Sequence, residues 1–533
     1  MARPRILIAG EAVELIPDDS IVTVSSSSAL GCPDAVLAAL GARFDAEGHP
    51  RNLTTLHPIA AGDMWGVKGI DHIAKPGCLA RVLGGSYPSG PSSAEPPAIW
   101  KMISADAIPC YNVPSGILFD IHREAAAKRP GVLTKVGMDT FVDPVNEGCA
   151  MNAKARAEPI VSRVSFAGDD WLFFPTIVPN VAIIRATTAD ERGNLSFEHE
   201  GGILGPLDQA LSVRNNGGLV IAQVKRLAAA GSLRPHDVVV PGILVDVIVV
   251  APEQKQTTNT PYDPAISGEI FRPLSSFETP EFGVGKTIAR RVAQELHDGD
   301  AVNIGFGISA NVPRILIEEG LHGDVTWVIE QGAVGGVPLL DFQFGCASNA
   351  EAIVPSPAQF TYFQGGGFDM SLLSFLQIDR HGSVNVSKLG LRPHVTAGAG
   401  GFVDITARAK KIVFSGYFTA GAGLEIQDGA LHITREGKIK KLVDTVEQIT
   451  FSGPRAVQQG QEILYVTERC VMRLEKEGLT VIELAPGVDL ERDVLAQSEF
   501  PLRVSSALKV TDAALYHPAP IDLKLRGVER AGR

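Results

Sequence analysis

The sequence predicts an α/β protein built of two repeated halves. Three observations carry this: short β-branched apolar runs alternate with helical stretches, two distant segments align without a gap, and a polar, proline-punctuated stretch lies between the halves.

The apolar runs IVTV, VAII, GLVIA and VVVPGILVDVIVV are short, rich in Val and Ile, and bounded by Gly and Pro, so they read as buried strands. The longest, Val238 to Pro252, is interrupted by Pro241, Gly242 and Asp246; it is too short to span a bilayer and reads as strands joined by a turn. Between the runs, PDAVLAALGARF from Pro33 and PRILIEEGL from Pro313 are helical, each opened by a proline suited to a first turn.

The repeat lies in DDSIVTVSSSSALGCP, ending at Pro33, and DGDAVNIGFGISANVP, ending at Pro313. A weaker pair follows in the same order, TADERGNLS around Gly193 and QIDRHGSVNVS around Gly382, where only the Asp and Gly positions agree. With NLTTLHP laid on DVTWVIE, Pro58 stands where the second half has Glu330. The polar segment 253–284 reads as a connector between halves 1–252 and 285–533.

A chain of 533 residues with 45% hydrophobic and 20% charged residues can bury a large core and is neither disordered nor fibrous. The net charge of −12 argues against nucleic acid as the main partner. Neither a secretory leader nor a membrane span is evident, and the six scattered cysteines form no CxxC pair or zinc spacing, so a cytoplasmic protein with reduced thiols and no metal is expected.

Four features could carry chemistry. Glu330 follows an apolar run and precedes Gly332, Gly335 and Gly336, a strand-end address where an α/β sheet places ligands and where any strand must also leave the core. The loop Gly305, Phe306, Gly307, Ile308, Ser309 joins a strand to a helix, and its amides could hold an anion or merely form a tight turn. In TAGAGGFVDI, Gly398, Gly400 and Gly401 allow successive amides to converge on one oxygen, or to pack closely. The serines Ser25 to Ser28, including Ser26 and Ser27, occupy the matching loop of the first half; capping of the next helix is the first expectation and substrate contact the second. No GxSxG elbow supports a serine-hydrolase triad.

In their order these clusters resemble the family I coenzyme A transferases, particularly the fused single-chain acyl-CoA:acetate/3-ketoacid and propionate type. The strongest segments are TKVGMDTFVDP, RATTADERGNLSFEHE, QVKRLAAAGSLRPHDVVVPGILVD, EQGAVGGVP and GAGGFVDI, and the likeness covers nearly the whole chain. The resemblance implies two related open α/β domains, an α-like half followed by a β-like half of the NagB/RpiA type, with Glu330 as the nucleophile that forms a glutamyl-CoA thioester. It further implies that the GFGIS loop and Gly398 line the cleft around the thioester, and that the Gly400 and Gly401 amides hold the oxyanion. Acyl-CoA and a free short-chain or 3-oxo acid are the implied substrates, with no permanent cofactor and a homodimeric or homotetrameric assembly.

One departure stands out. Relatives commonly carry Gln in the segment that reads YNVPSGIL here, where this chain has Ser115, with Asn112 beside it as a possible substitute in the substrate pocket. An acyl-CoA hydrolase on the same scaffold, or a non-catalytic sensor of acyl-CoA or sugar phosphate, is the alternative function.

Overall fold

In the computed structural model, which describes residues 3–89, 95–390 and 392–527, each half is organised on its own ten-stranded sheet. The first runs in the order Arg5–Leu7, Val247–Val250, Leu219–Ala228, Val181–Asp190, Ile21–Val24, Leu53–His57, Leu79–Gly84 and Cys110–Asn112. Every neighbouring pair on this path is parallel. Val181–Asp190 is buried along its whole length, as a strand covered on both faces should be.

The second sheet has a parallel centre of Thr326–Val328, Ala301–Ile304, Met370–Ser374, Lys411–Ser415 and Glu462–Val466. Beyond it the strands turn antiparallel, toward Ala333–Val334 and Ala352–Ile353 at one edge and into Cys470–Glu475 at the other.

The repeat seen in the sequence is a repeat of register. Val22 pairs with Thr55 and Val181, and Val302 pairs with Trp327 and Met370. These are the same positions once Pro33 is laid on Pro313, Pro58 on Glu330 and Gly193 on Gly382. The weaker pair of segments is also real. Asp190 Oδ1 accepts the amides of Arg192 and Asn194, and Asp379 Oδ1 accepts those of His381 and Ser383. Gly193 and Gly382 follow at φ +88° and +75°. Only Asp and Gly agree because the turn needs only a short carboxylate and a left-handed residue.

The halves are packed together. One buried cluster joins Tyr111, Val113, Ile117 and Leu118 of the first half to Ala399 and Val403 of the second. Residues 253–284 touch both: the Thr258 hydroxyl bonds to Asp63, and Asn349 Oδ1 accepts the Arg272 amide. Within the first half, Arg185 and Glu200 form a buried ion pair, 2.9 Å between Nη2 and Oε2.

Candidate active site

Glu330 is carried to its place by a hairpin. Trp327, Val328 and Ile329 are buried, which fixes the end of the strand, and the chain then reverses so that Val334 pairs with Val328. Gly332 makes the reversal possible: it sits at φ +113°, and a Cβ there would lie 1.9 Å from the Val354 carbonyl oxygen. Glu330 and Gln331 therefore occupy the tip, at the carboxyl end of a parallel strand, where open α/β sheets present ligand sites.

The carboxylate faces a cleft of about 830 Å³ between the halves. Gln331 Nε2 donates to Glu330 Oε1 at 3.1 Å, and Gly401 comes so close that a Cβ there would lie 2.3 Å from Oε2. Burial pushes the Glu330 carboxyl up to about 7, and the hydrogen bonds from Gln331 and the Gly401 backbone hold it from rising further. Asp404, on the helix Phe402–Thr406, is likewise raised to about 7 by burial, opposed by bonds from Gln364 and the Gly116 amide and reinforced by the charges of Asp120 and Glu330. Cys346 also lines the cleft, but burial raises its thiol to about 12, which keeps it protonated and a poor nucleophile at neutral pH.

The glycine turn before Asp404 is held from the opposite half. Tyr87 N donates to Ala397 O at 2.7 Å, Ala399 N to Asn112 Oδ1 at 2.8 Å, and Ser115 N to Gly400 O at 3.0 Å. Gly116 N, at the start of the helix Ser115–Ala126, donates to Asp404 Oδ2 at 3.0 Å. The turn is thus preorganised by contacts that exist only when the halves are docked.

This network corrects part of the sequence reading. The Gly400 N–H is already given to Gly85 O at 2.7 Å, so the expected pair of free amides reduces to that of Gly401, which faces Glu330. Asn112 and Ser115 lie behind the turn instead of on the cleft wall: the Asn112 side chain is bonded to Ala399 and Gly85, and Ser115 is fully buried. Their substrate-pocket role gives way to bracing of the turn.

The other predicted residues divide in two. Gly305, Phe306, Gly398 and Ser27 line the cleft. Gly307, Ile308 and Ser309 fall outside its lining: the chain turns away into the short helix Ile308–Asn311, and the buried Ser309 hydroxyl bonds to that of Ser415 at 2.6 Å. Ser26 is similarly committed, to Ala60 O at 2.6 Å. The expected serine capping does not occur either. The helix Asp34–Glu47 has no side-chain cap from its own loop, and Gln223 Oε1 accepts the Ala35 and Val36 amides.

A family model described as Coenzyme A transferase matches residues 6–251. A curated relative, the caffeate CoA-transferase of Acetobacterium woodii, is 42% identical over 522 residues, 96% of this chain and 97% of the relative. The chain belongs to the coenzyme A transferases.

The transferase is also 36% identical over 527 residues to the acetate CoA-transferase YdiF of Escherichia coli K12, covering 98% and 97% of the two chains. It superposes on the crystal structure of the YdiF apoenzyme from E. coli O157:H7 with a TM-score of 0.91 at 35% identity, over 99% of this chain and 98% of that one. A second structure of YdiF, a thioester complex with CoA, matches with a TM-score of 0.90. Both domains of the single-chain family I layout are therefore present. Among the described residues of the transferase, no His, Cys, Asp and Glu cluster could hold a metal, and no helix is long and apolar enough to cross a membrane.

Sequence reasoning missed Gln331 and Asp404 as site residues. Gln331 stood beside the candidate nucleophile, and Asp404 stood in the quoted GAGGFVDI segment. Their partners Ser27 and Gly116 lie 304 and 288 residues away in the chain, which no local pattern reveals.

Proposed function

We propose that the enzyme moves CoA from an acyl-CoA to a free carboxylic acid through a thioester on Glu330. The observation that carries the reading is the placement of that carboxylate: at the tip of a rigid hairpin, open to the cleft between halves, and against the Gly401 amide. Attack by Glu330 on the acyl carbon gives a mixed anhydride and CoA thiolate; the thiolate then attacks the Glu330 carbonyl, releasing the first acid. A second acid reverses the sequence. No energy input is needed, because over the full cycle one thioester and one carboxylate are exchanged for another thioester and carboxylate of similar energy.

The Gly401 amide is the proposed oxyanion donor, with Gly305, Phe306, Gly398 and Ser27 along the path of the CoA ester. The acids are proposed to be short-chain or 3-oxo acids, and the names of the relatives, caffeate and acetate CoA-transferases, define the first donors and acceptors to assay. The same reading makes 1–252 and 285–533 the two catalytic domains, joined by 253–284, in a cytoplasmic homo-oligomer.

The test is direct. Incubation with acyl-CoA and no acceptor should add CoA less water to the peptide containing Glu330, read by intact and peptide mass spectrometry. An enzyme that turns over yet never carries the adduct would refute the covalent route, and release of free CoA at the rate of transfer without acceptor would make it a hydrolase.

A pH dependence follows from the raised carboxyl. Glu330 must be ionised to attack, so kcat/KM should fall about tenfold per pH unit below about 7 and level off above it. Steady-state rates from pH 5 to 9 check this; a plateau extending down to pH 5 contradicts it.

A further inference from the structure

Gln331 Nε2 stands between two oxygens of different origin, Glu330 Oε1 at 3.1 Å and Ser27 Oγ at 3.0 Å. The side chain is buried, 3% exposed, and packs closely on Gly345, where an added Cβ would lie only 2.8 Å from Gln331 Cδ. Its backbone is fixed as well, since Gln331 O accepts the Ser356 hydroxyl at 3.2 Å. With one N–H given to Ser27, the other is aimed at the nucleophile.

The geometry points to Gln331 as a catalytic residue whose side-chain N–H receives the oxyanion that forms on Glu330's own carbonyl oxygen. This rests on the reading of Glu330 as nucleophile and adds to it the group that serves its second step.

The chemistry creates two different oxyanions. When Glu330 Oε2, the oxygen facing Gly401, bonds to the acyl carbon, negative charge first builds on the substrate oxygen. The C–S bond then breaks and its electron pair leaves on the CoA thiolate. In the next step the thiolate bonds to Glu330 Cδ, and the carbonyl electron pair moves onto Oε1. That pair returns as the Cδ–Oε2 bond breaks, and the first acid departs as a carboxylate that includes Oε2. The second acid supplies the replacement oxygen on the return.

A donor set for the substrate oxygen cannot also serve Oε1, because the anhydride linkage lies between them. Gly401 faces Oε2, and Gln331 is the donor already at Oε1. A neutral amide suits the position: it stabilises developing charge without surrendering a proton to the nucleophile, as an ammonium or imidazolium could. It also supplies a side-chain amide to a site where Ser115, buried behind the glycine turn, provides none.

Gln331→Met removes the N–H with little change of shape. Mixing the enzyme with acyl-CoA in the absence of acceptor, and following the Glu330 adduct by quenched mass spectrometry, should show formation slowed about 10²–10³-fold. KM for the acyl-CoA should stay within about threefold. The acid limb of kcat/KM should move to higher pH, since the Gln331 bond is one of the two that favour the ionised carboxylate, a shift that a merely structural role would not produce. Gln331→Glu, of the same shape with an acceptor in place of the donor, should be slower still at pH 8 and serves if the Met variant does not fold. Adduct formation at the wild-type rate with an unmoved acid limb in these variants overturns the proposal. Absence of any Glu330 adduct in the wild-type enzyme under turnover overturns instead the nucleophile assignment beneath it.

Discussion

Glu330→Gln is expected to lower transfer by about 10⁴-fold or more, because the amide cannot attack the acyl carbon and no neighbouring group replaces it. Binding of the CoA ester should survive, since the hairpin tip, Gly332 and the Gln331–Ser27 contact do not depend on the charge. The same substitution should raise stability above neutral pH. The folded protein keeps the Glu330 proton up to about 7, whereas the ordinary value is 4.5, so between these values the folded state binds more protons than the unfolded one. Stability therefore falls as pH rises through that window. Some solvent still reaches the half-buried residue, which limits the effect to on the order of 2 kcal/mol. Denaturation at pH 8 should show the variant more stable than its parent, with the gap closing toward pH 4.5. Unimpaired transfer would place the nucleophile elsewhere, and equal stability at pH 8 would contradict the raised carboxyl of Glu330.

That combination, activity lost and stability gained, marks a group held in a costly state for a function. Asp404 shares the condition, with its carboxyl also pushed up to about 7. Its geometry assigns it a different task. Its oxygens are taken by Gln364 Nε2 at 2.9 Å and by the Gly116 amide, so it braces the helix that follows the glycine turn against the opposite half.

The legibility of this protein in its sequence follows the range of the interactions involved. Strands such as Val181–Asp190 and Leu219–Ala228 were legible because burial on both faces demands unbroken apolar runs, here VAII and LVIA. The two Asp–Gly turns were legible because the conformation dictates both residues locally. Glu330 was legible as a position at a strand end, while its chemistry became specific only through the order of the other motifs.

What the sequence could not convey was side-chain direction within a loop and contacts between halves. Ser309 and Ser27 occur in matching loops of suitable composition, yet Ser309 turns inward to Ser415 and Ser27 faces the cleft. Asn112 was placed in the substrate pocket by its segment, but its Oδ1 accepts an amide 287 residues away and its Nδ2 donates to Gly85 O. The Gly400 and Gly401 amides looked equivalent as neighbours in GAGG. Docking of the first half separates them, because Gly85 takes one and leaves the other at Glu330.

That separation predicts opposite consequences for two alanine substitutions one residue apart. At Gly401 the backbone, φ −85° and ψ −2°, is open to any residue, so alanine brings no conformational strain. Its Cβ, however, would lie 2.3 Å from Glu330 Oε2 and 2.7 Å from Phe360 Cε1. Phe360 is 1% exposed within the core, so the carboxylate is the group that must move. A displacement of about an ångström from the attacking position should cost kcat on the order of 10²-fold or more, with a stability loss of about 1–3 kcal/mol from overpacking. At Gly400 the situation is reversed. No atom lies within 4 Å of the added Cβ, but φ is +54°, so alanine should lose about 1–2 kcal/mol of stability through backbone strain and retain transfer within a few-fold. Steady-state kinetics and denaturation of Gly401→Ala and Gly400→Ala together decide the point: equal kinetic losses in the two would mean that the turn acts as a unit, and that the crowding of Glu330 by residue 401 is not what sets the rate.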